Sequence, residues 1–501
     1  MDSSIGKTKL TNETGTPMKY AELSKQYING AWVEGHSNTV YQDVNPYNQQ
    51  VLAQIRLADK SDIDAAYVAA SKAQPAWAKV PAAEKRAIIQ KAMDWLAANQ
   101  EACIQLLIAE TGSTFPKAQV EVMATIGTLA HSLSFPDKMA TTTHASFLPG
   151  KENTVVHLPL GVVGVVSPWN FPLVLSARSV AAAIATGNAV VLKPDSQSLM
   201  SGGSILVTAF AAAGLPAGVL NMVVADLNEV GDAFIEHPIP RLISFTGSTR
   251  AGQHVHRVAN EHMKKTILEL GGNNVMIVLG DADVNQAAAA AAFGRFLHQG
   301  QICLSVNRMV VDRKIYPEFV RLLKAKVQMM KVGNPAEPDT FIGPLINHVQ
   351  AEKVKALIEQ SVNEGATIEL QGKIEGNLVY PYILTNVTQD MAVAKNEIFG
   401  PVAPVLAFDS EQQAIDIANS TAFGLSGSVF SGSIDHGLAV AHQIHTGMIH
   451  VNDQSVNEEP HMPFGGEKCS GSGRFGGDWV FEEFTTVKWI SIQREPRGFP
   501  F

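Results

Sequence analysis

Cysteine is scarce in this chain. There are three in 501 residues, Cys103, Cys303 and Cys469, too few and too widely spaced for a disulfide framework or a Cys-x-x-Cys metal site. No metal is therefore expected, and the pattern suggests a reducing compartment. Long apolar runs are also missing. The most apolar stretch, 179–192, is broken by Thr186, Gly187 and Asn188, short of the roughly 18 unbroken residues a membrane span needs. The polar stretch 1–19 lacks the apolar core of a signal peptide, so a cytoplasmic location is expected. Charge is sparse at 17%, against about a quarter in an average protein. So few charges on so long a chain suggest much buried surface, some of it between subunits. Positive charge is not in excess: the net charge of −9 argues against nucleic acid or an anionic membrane as partner. No internal repeat or low-complexity segment is evident.

What is present is 46% hydrophobic residues, enough for two or three globular domains. Residues 27–32, with Asn29-Gly30 at the turn, read as a hairpin. Residues 61–132 read as helices, with Ile63, Ala66, Trp77, Ile89 and Ala92 on buried faces and Cys103 as core filler. Near 141 the pattern changes. β-Rich runs at 154–158 and 161–166 lead into strands at 188–192, 219–224, 241–245 and 266–270, separated by helices at 199–213, 229–236 and 249–263. Near-continuous apolar strands spaced by helices imply a parallel sheet covered on both faces. Ligands then bind beyond the strands' C-terminal ends. A second α/β unit begins near 274, with strands at 275–279 and 309–312 and helices at 286–296, 316–329 and 349–365. The tail, 484–494, alternates as a lone strand that must find an edge, and another subunit is the expected partner.

Six stretches could carry chemistry. Cys303 follows a Gln299-Gly300-Gln301 turn at the end of an Ala-rich helix, where a thiol can be reached. Pro168-Trp-Asn-Phe-Pro172 follows a strand; Asn170 reads either as a turn residue or as an oxyanion donor with the Cys303 backbone N–H. Lys193-Pro194 also follows a strand, where the lysine could meet nucleotide sugar hydroxyls or solvent. Phe245-Thr-Gly-Ser248 joins a strand to a helix and suits a pyrophosphate at the helix N-terminus. Leu268-Glu-Leu-Gly-Gly272 places Glu269 at an apolar strand end, where burial would raise its pKa into the range of a general base; a structural glutamate is the other reading. Glu397-Ile-Phe-Gly-Pro401 sets an acid and an aromatic on a kinked loop, either bracketing a flat ring or capping the loop. A GxGxxG pattern at Gly471, Gly473 and Gly476 follows a loop rather than a strand and reads as a chance match.

Together and in this order, these motifs, with Ile28-Asn-Gly-Ala-Trp32 and Pro463-Phe-Gly-Gly466, resemble the aldehyde dehydrogenase superfamily over nearly the whole chain. The resemblance implies a Rossmann-like parallel-sheet cofactor domain (1–140 and 161–271), a second α/β catalytic domain (272–465) and a small β oligomerisation extension (141–160 and 484–501). It implies Cys303 as nucleophile, Glu269 as base and Asn170 as oxyanion donor. Trp169, Lys193, Ser196, Gly247, Ser248, Gly271, Glu397 and Phe399 would hold NAD or NADP. The family often has an acid where Ser196 stands; neutral Ser196 implies that NADP is accepted. The family's frequent asparagine before Gln-Gly-Gln is here His298, which is expected to pack. Gly465-Gly-Glu-Lys468, Gly473-Arg-Phe475 and the tail 493–497 are similar to the benzaldehyde, vanillin and salicylaldehyde branch. By family position Leu175, Arg178, Phe296, Ile302, Leu304 and Phe464 would face an aromatic aldehyde. A homodimer or homotetramer is implied. The alternatives are an aliphatic or semialdehyde dehydrogenase, a coenzyme A-acylating relative and a non-catalytic binding protein.

Overall fold

The computed structural model describes Leu10 and residues 19–501. Five parallel strands form the heart of the first sheet, in the spatial order Leu220–Met222, Ala189–Lys193, Val162–Val166, Leu242–Thr246 and Lys265–Glu269. The order reverses between Val162–Val166 and Leu242–Thr246, whose C-terminal ends open the crevice in which such sheets bind ligands. These strands are apolar on both faces because helices cover both: Lys60–Ala78 packs on one side and Pro172–Ala185 on the other. The second sheet runs Thr367–Leu370, Tyr382–Thr385, Val402–Phe408, Val306–Asp312, Asn274–Val278, Gly427–Phe430, His450–Val451. Only its first strand is antiparallel. Among the described residues, no helix is long and apolar enough to cross a membrane.

Most expected elements form, with three differences. The hairpin Gln26–Ile28 with Ala31–Val33 turns at Asn29 and Gly30, both at positive φ (52° and 82°), as the turn requires. The helix expected at 199–213 is instead a 3-10 turn (Ser196–Ser198), a π-helical stretch (Met200–Ser204) and a short α-helix (Ile205–Ala212). The buried Glu110 carboxylate accepts the Met200 and Ser201 N–H groups at 2.7 and 2.6 Å, a long-range capture no local pattern contains. The tail strand Thr485–Gln493 finds its edge within the chain. It pairs over nine residues with Lys151–Pro159, which also pairs with Thr142–His144. A hairpin at Val40–Val44 and Val51–Arg56 went unforeseen.

The GxGxxG segment does no phosphate work here. Gly471–Ser472 pairs antiparallel with Leu268–Glu269 at the edge of the first sheet. A Cβ on Gly471 would lie 2.2 Å from the Leu268 carbonyl, and one on Gly476 2.0 Å from the Met462 carbonyl, so these glycines serve close backbone packing.

Candidate active site

The strand ends and the second unit enclose a cleft of about 600 Å³. Asn170, Glu269 and Cys303, far apart in sequence, all line it. So do Trp169, Gly247, Ser248, Gly271, Glu397 and Phe399 from the expected cofactor set, and Leu175 from the expected substrate set. Gln350 and Lys353 on helix His348–Asn363 also line it; nothing local in their sequence singled them out. Lys193 and Ser196 are not among its lining residues. Lys193 ends the neighbouring strand, paired in register with Val166, and Ser196 begins the next turn.

Cys303 is half-buried, and burial, with Glu397 adding to it, pushes its thiol up to about 12. It therefore rests protonated and must lose its proton as it attacks. Both carboxylate oxygens of Glu269 are buried without a hydrogen-bond partner. Burial pushes this carboxyl up to about 8, against the pull of the Arg178 guanidinium. A buried carboxyl with no partner is costly, and one that lines a cleft is a proton-transfer candidate. Asn170 donates from Nδ2 to the Gln301 carbonyl at 2.9 Å, tying the amide to the loop that leads to Cys303.

A network absent from the sequence reading holds Asn170. Lys117 Nζ donates to the Asn170 carbonyl (2.7 Å), to Glu121 Oε2 (2.6 Å) and to Ser113 Oγ (2.9 Å), and lies 4.1 Å from the Phe171 ring centre. Glu121 Oε1 accepts the Leu173 N–H at 2.9 Å, at the start of helix Pro172–Ala185. The only local signal was an i,i+4 lysine–glutamate pair on the buried face of helix Phe115–Ser132. His298 is fully buried with its ring edge-on to Phe171. Burial and Lys117 hold its pKa well below the usual range, so it is a neutral packing group, as expected.

The cofactor side of the cleft fits a dinucleotide. Ser248 caps the 13-residue helix Thr249–Glu261, so first-turn N–H groups face the cleft end where an anion is favoured. Trp169 and Phe399 meet edge to face at 5.5 Å. A Cβ on Gly271 would lie 2.5 Å from Glu397 Oε2, so only glycine leaves that approach open. Glu397 accepts the Gly272 N–H at 3.0 Å. Its loop is held by Asn307, which donates to the Asn396 carbonyl and accepts the Ile398 N–H, and by Arg295, which donates to the Gly400 carbonyl.

The expected substrate side divides. Ile302 and Leu304 are buried on either side of the half-buried Cys303, within one apolar cluster that includes Phe464. Arg178 is buried, with its guanidinium 4.9 and 4.3 Å from the ring centres of Phe464 and Phe475. It donates to Thr246 Oγ1 at 3.2 Å, while Nε and Nη1 have no hydrogen-bond partner. Phe296 is a correction. It is fully buried in the core of the second unit, in one cluster with Met276, Val306 and Phe430, because the end of helix Val284–Phe296 turns its apolar face to the sheet rather than to the cleft.

A thiol, an unpaired buried carboxyl and an amide beside a dinucleotide-shaped cleft form the arrangement that a thiol-dependent dehydrogenase needs. The chain belongs to the aldehyde dehydrogenase family, whose model matches residues 32–490. It is 49% identical over 483 residues to a benzaldehyde dehydrogenase of Bacillus subtilis, covering 96% of this chain and all of that one. Its fold is similar to the crystal structure of a NAD-dependent benzaldehyde dehydrogenase from Corynebacterium glutamicum. That match has a TM-score of 0.87 at 45% identity and covers 96% of this chain and 98% of that one. A salicylaldehyde dehydrogenase from Pseudomonas putida, solved with salicylaldehyde, gives a TM-score of 0.92 at 34% identity over 95% of this chain and 99% of that one.

Proposed function

We propose that this enzyme oxidises aromatic aldehydes to carboxylic acids with NAD or NADP. The observation that carries the mechanism is the common cleft of Cys303, Glu269 and Asn170. In this reading the Cys303 sulfur bonds to the aldehyde carbon as its proton leaves to water in the cleft. Asn170 Nδ2, which has two hydrogens and gives one to Gln301, offers the second to the new oxyanion beside the Cys303 N–H. A dinucleotide held by Glu397, Phe399, Trp169 and Gly271 would supply the hydride acceptor. Oxidation leaves a thioester on Cys303. Glu269 then takes a proton from water as it attacks the thioester carbon and returns that proton to the departing sulfur, which releases acid and thiol. The division into cofactor domain, catalytic domain and extension at the expected boundaries belongs to the same proposal.

The aromatic assignment rests on the apolar residues flanking the thiol, Ile302 and Leu304, and on the substrates named for the relatives. Arg178, whose Nε has no hydrogen-bond partner and whose Nη1 lies 3.9 Å from the Glu458 carboxylate beside two aromatic rings, suits a ring substituent bearing a phenol or phenolate. Steady-state kinetics on benzaldehyde, vanillin, salicylaldehyde, succinic semialdehyde and betaine aldehyde, each with NAD and NADP, test this. The aromatic aldehydes should give the highest kcat/KM. NADP should be turned over alongside NAD, since Ser196 offers no charge against a 2′-phosphate. Best turnover on the last two aldehydes would refute the substrate class, and a loss of more than about a thousandfold with NADP, about 4 kcal/mol, would refute the role given to Ser196.

The extension also supports self-association. Val487, Trp489, Ile490 and Ile492 on the tail strand are 58, 66, 42 and 39% exposed, an unusual concentration of apolar side chains for a free surface. Light scattering should give a dimer or tetramer, and Trp489→Lys with Ile490→Lys should shift the population toward monomer. A monomeric parent protein at micromolar concentration would exclude this interface.

A further inference from the structure

We infer that Asn274 and Ser455 are positioning residues for the nucleophile, clamping three successive carbonyls of the turn that carries Cys303. The inference rests on the reading of Cys303 as nucleophile. The turn itself is closed by the Ser305 N–H donating to the Ile302 carbonyl at 2.9 Å, which puts Cys303 at its second position. A two-residue turn tip lined by apolar side chains has little of its own to fix its peptide planes. The fixing comes from behind.

Asn274 begins the strand Asn274–Val278, at a register shift against Val306–Asp312. Its Nδ2 donates to the Cys303 carbonyl at 2.7 Å and to the Ser305 carbonyl at 2.9 Å. Both amide hydrogens are thus used. Its Oδ1 accepts the Ser426 N–H at 3.0 Å, which fixes the amide's orientation. The carbonyl between, that of Leu304, accepts from Ser455 Oγ at 2.6 Å. Ser455 is tied in turn by the Ser426 hydroxyl, which donates to its carbonyl at 3.2 Å. A closed ring of hydrogen bonds therefore runs from carbonyl 303 through Asn274, Ser426 and Ser455 to carbonyl 304. Asn274 and Ser455 are buried. Gly272 completes the seat: a Cβ there would stand 2.5 Å from the Cys303 carbonyl oxygen.

The chemistry needs this rigidity. The oxyanion donor is the Cys303 N–H, in the 302–303 peptide whose carbonyl takes the Ser305 N–H, and the nucleophile is the Cys303 Sγ, so both depend on a backbone that the turn bond holds before Cys303 and the clamp holds after it. Turning the 303–304 peptide would take the Cys303 carbonyl from its donor, Asn274 Nδ2, which is costly. The clamp thus fixes the angle between thiol and oxyanion donor before substrate arrives, and preorganisation of this kind lowers the barrier rather than strengthening ground-state binding.

Two variants of the full-length enzyme, with cofactor bound, test this. Asn274→Asp is nearly isosteric but sets an oxygen against the two carbonyls; Ser455→Ala removes one donor. The readouts are kcat, KM for cofactor and the rate constant for alkylation of Cys303 by iodoacetamide, followed by peptide mass. A misplacement near 1 Å costs on the order of a hundredfold. Asn274→Asp should therefore lose about a hundredfold in kcat, and Ser455→Ala about tenfold. Alkylation should slow in both as a single exponential that still reaches one label per subunit, with KM for cofactor within about twofold. Unchanged kcat and alkylation in folded variants would overturn the clamp. So would a loss confined to the labelled fraction, with the remaining sites reacting at the parent rate, because that marks general misfolding. If Asn274→Asp does not fold, Ser455→Ala decides by the same criteria. The reading of Cys303 fails separately, and takes the clamp with it, if full alkylation of Cys303 in the parent leaves turnover intact.

Discussion

Cys303→Ala should lose aldehyde oxidation by about ten-thousandfold or more while binding NAD(P) as the parent does. Removing a nucleophile whose partners cannot replace it costs this much or more in enzymes with covalent intermediates. Nothing else in the cleft can take over. Among the described residues, the other cysteines are Cys103, which is fully buried, and Cys469, whose carbonyl accepts from Thr249 outside the cleft lining. The alanine should be tolerated by the fold. The turn is held through the carbonyls of residues 303, 304 and 305, which alanine keeps, and a small apolar side chain suits the cluster of Ile302 and Leu304. Fluorescence titration with NADH, beside steady-state turnover, checks both halves. Turnover at the parent rate would disprove covalent catalysis at this sulfur.

Glu269→Gln should separate the two halves of the reaction. Hydrolysis of the thioester needs a base for water, and general-base catalysis is worth about a hundred to ten-thousandfold. The variant should lose roughly a thousandfold in steady-state rate, and acid-quenched protein should carry the acyl group on Cys303, visible by intact mass. The acyl adduct should be absent from the parent at steady state if hydrolysis is fast. The parent's rate should rise with pH and level off above about 8, following ionisation of a carboxyl that burial pushes up to about 8; the variant should lack that inflection.

The same burial sets a stability trend of opposite sense. Between the ordinary carboxyl value near 4.5 and about 8, the unfolded chain has released the Glu269 proton while the folded chain retains it. The unfolded state then binds fewer protons, so this residue's contribution falls as pH rises through that window. Glu269→Gln removes the penalty and should melt higher than the parent at pH 8. A lower melting temperature would mean that Glu269 gains a partner in solution. The enzyme on this account keeps a destabilised carboxyl because the water-activating step needs one.

Much of this architecture was legible in the chain. Apolar strands such as Val162–Val166 and Leu242–Thr246, each followed by a loop of Pro, Gly or Ser and then a helix, declare a parallel sheet by composition alone, because a strand buried on both faces has no polar alternation to hide it. The positions of Asn170, Glu269 and Cys303 at element ends were equally plain, since each sits where an apolar run meets a turn. Some expectations failed. Phe296, expected in the substrate tunnel from the family resemblance, has its side chain in the core of the second unit. The 199–213 stretch reads as an uninterrupted helix, yet a glutamate ninety residues earlier captures its first N–H groups.

The chain alone therefore determined the class of fold, the family resemblance and the three residues on which the proposed chemistry turns. These depend on residue type and on order along the polymer, which a sequence records directly. Tertiary structure alone decided what holds those residues still: Lys117 beneath Asn170, Asn274 and Ser455 behind Cys303, Asn307 and Arg295 under the Glu397 loop. It also decided that Glu269 has no partner and that the tail strand pairs within its own chain. Hydrogen bonds between segments 29 to 151 residues apart have no period and no local signature. They exist only once hydrophobic burial has brought the segments together and excluded the water that would otherwise satisfy each group separately.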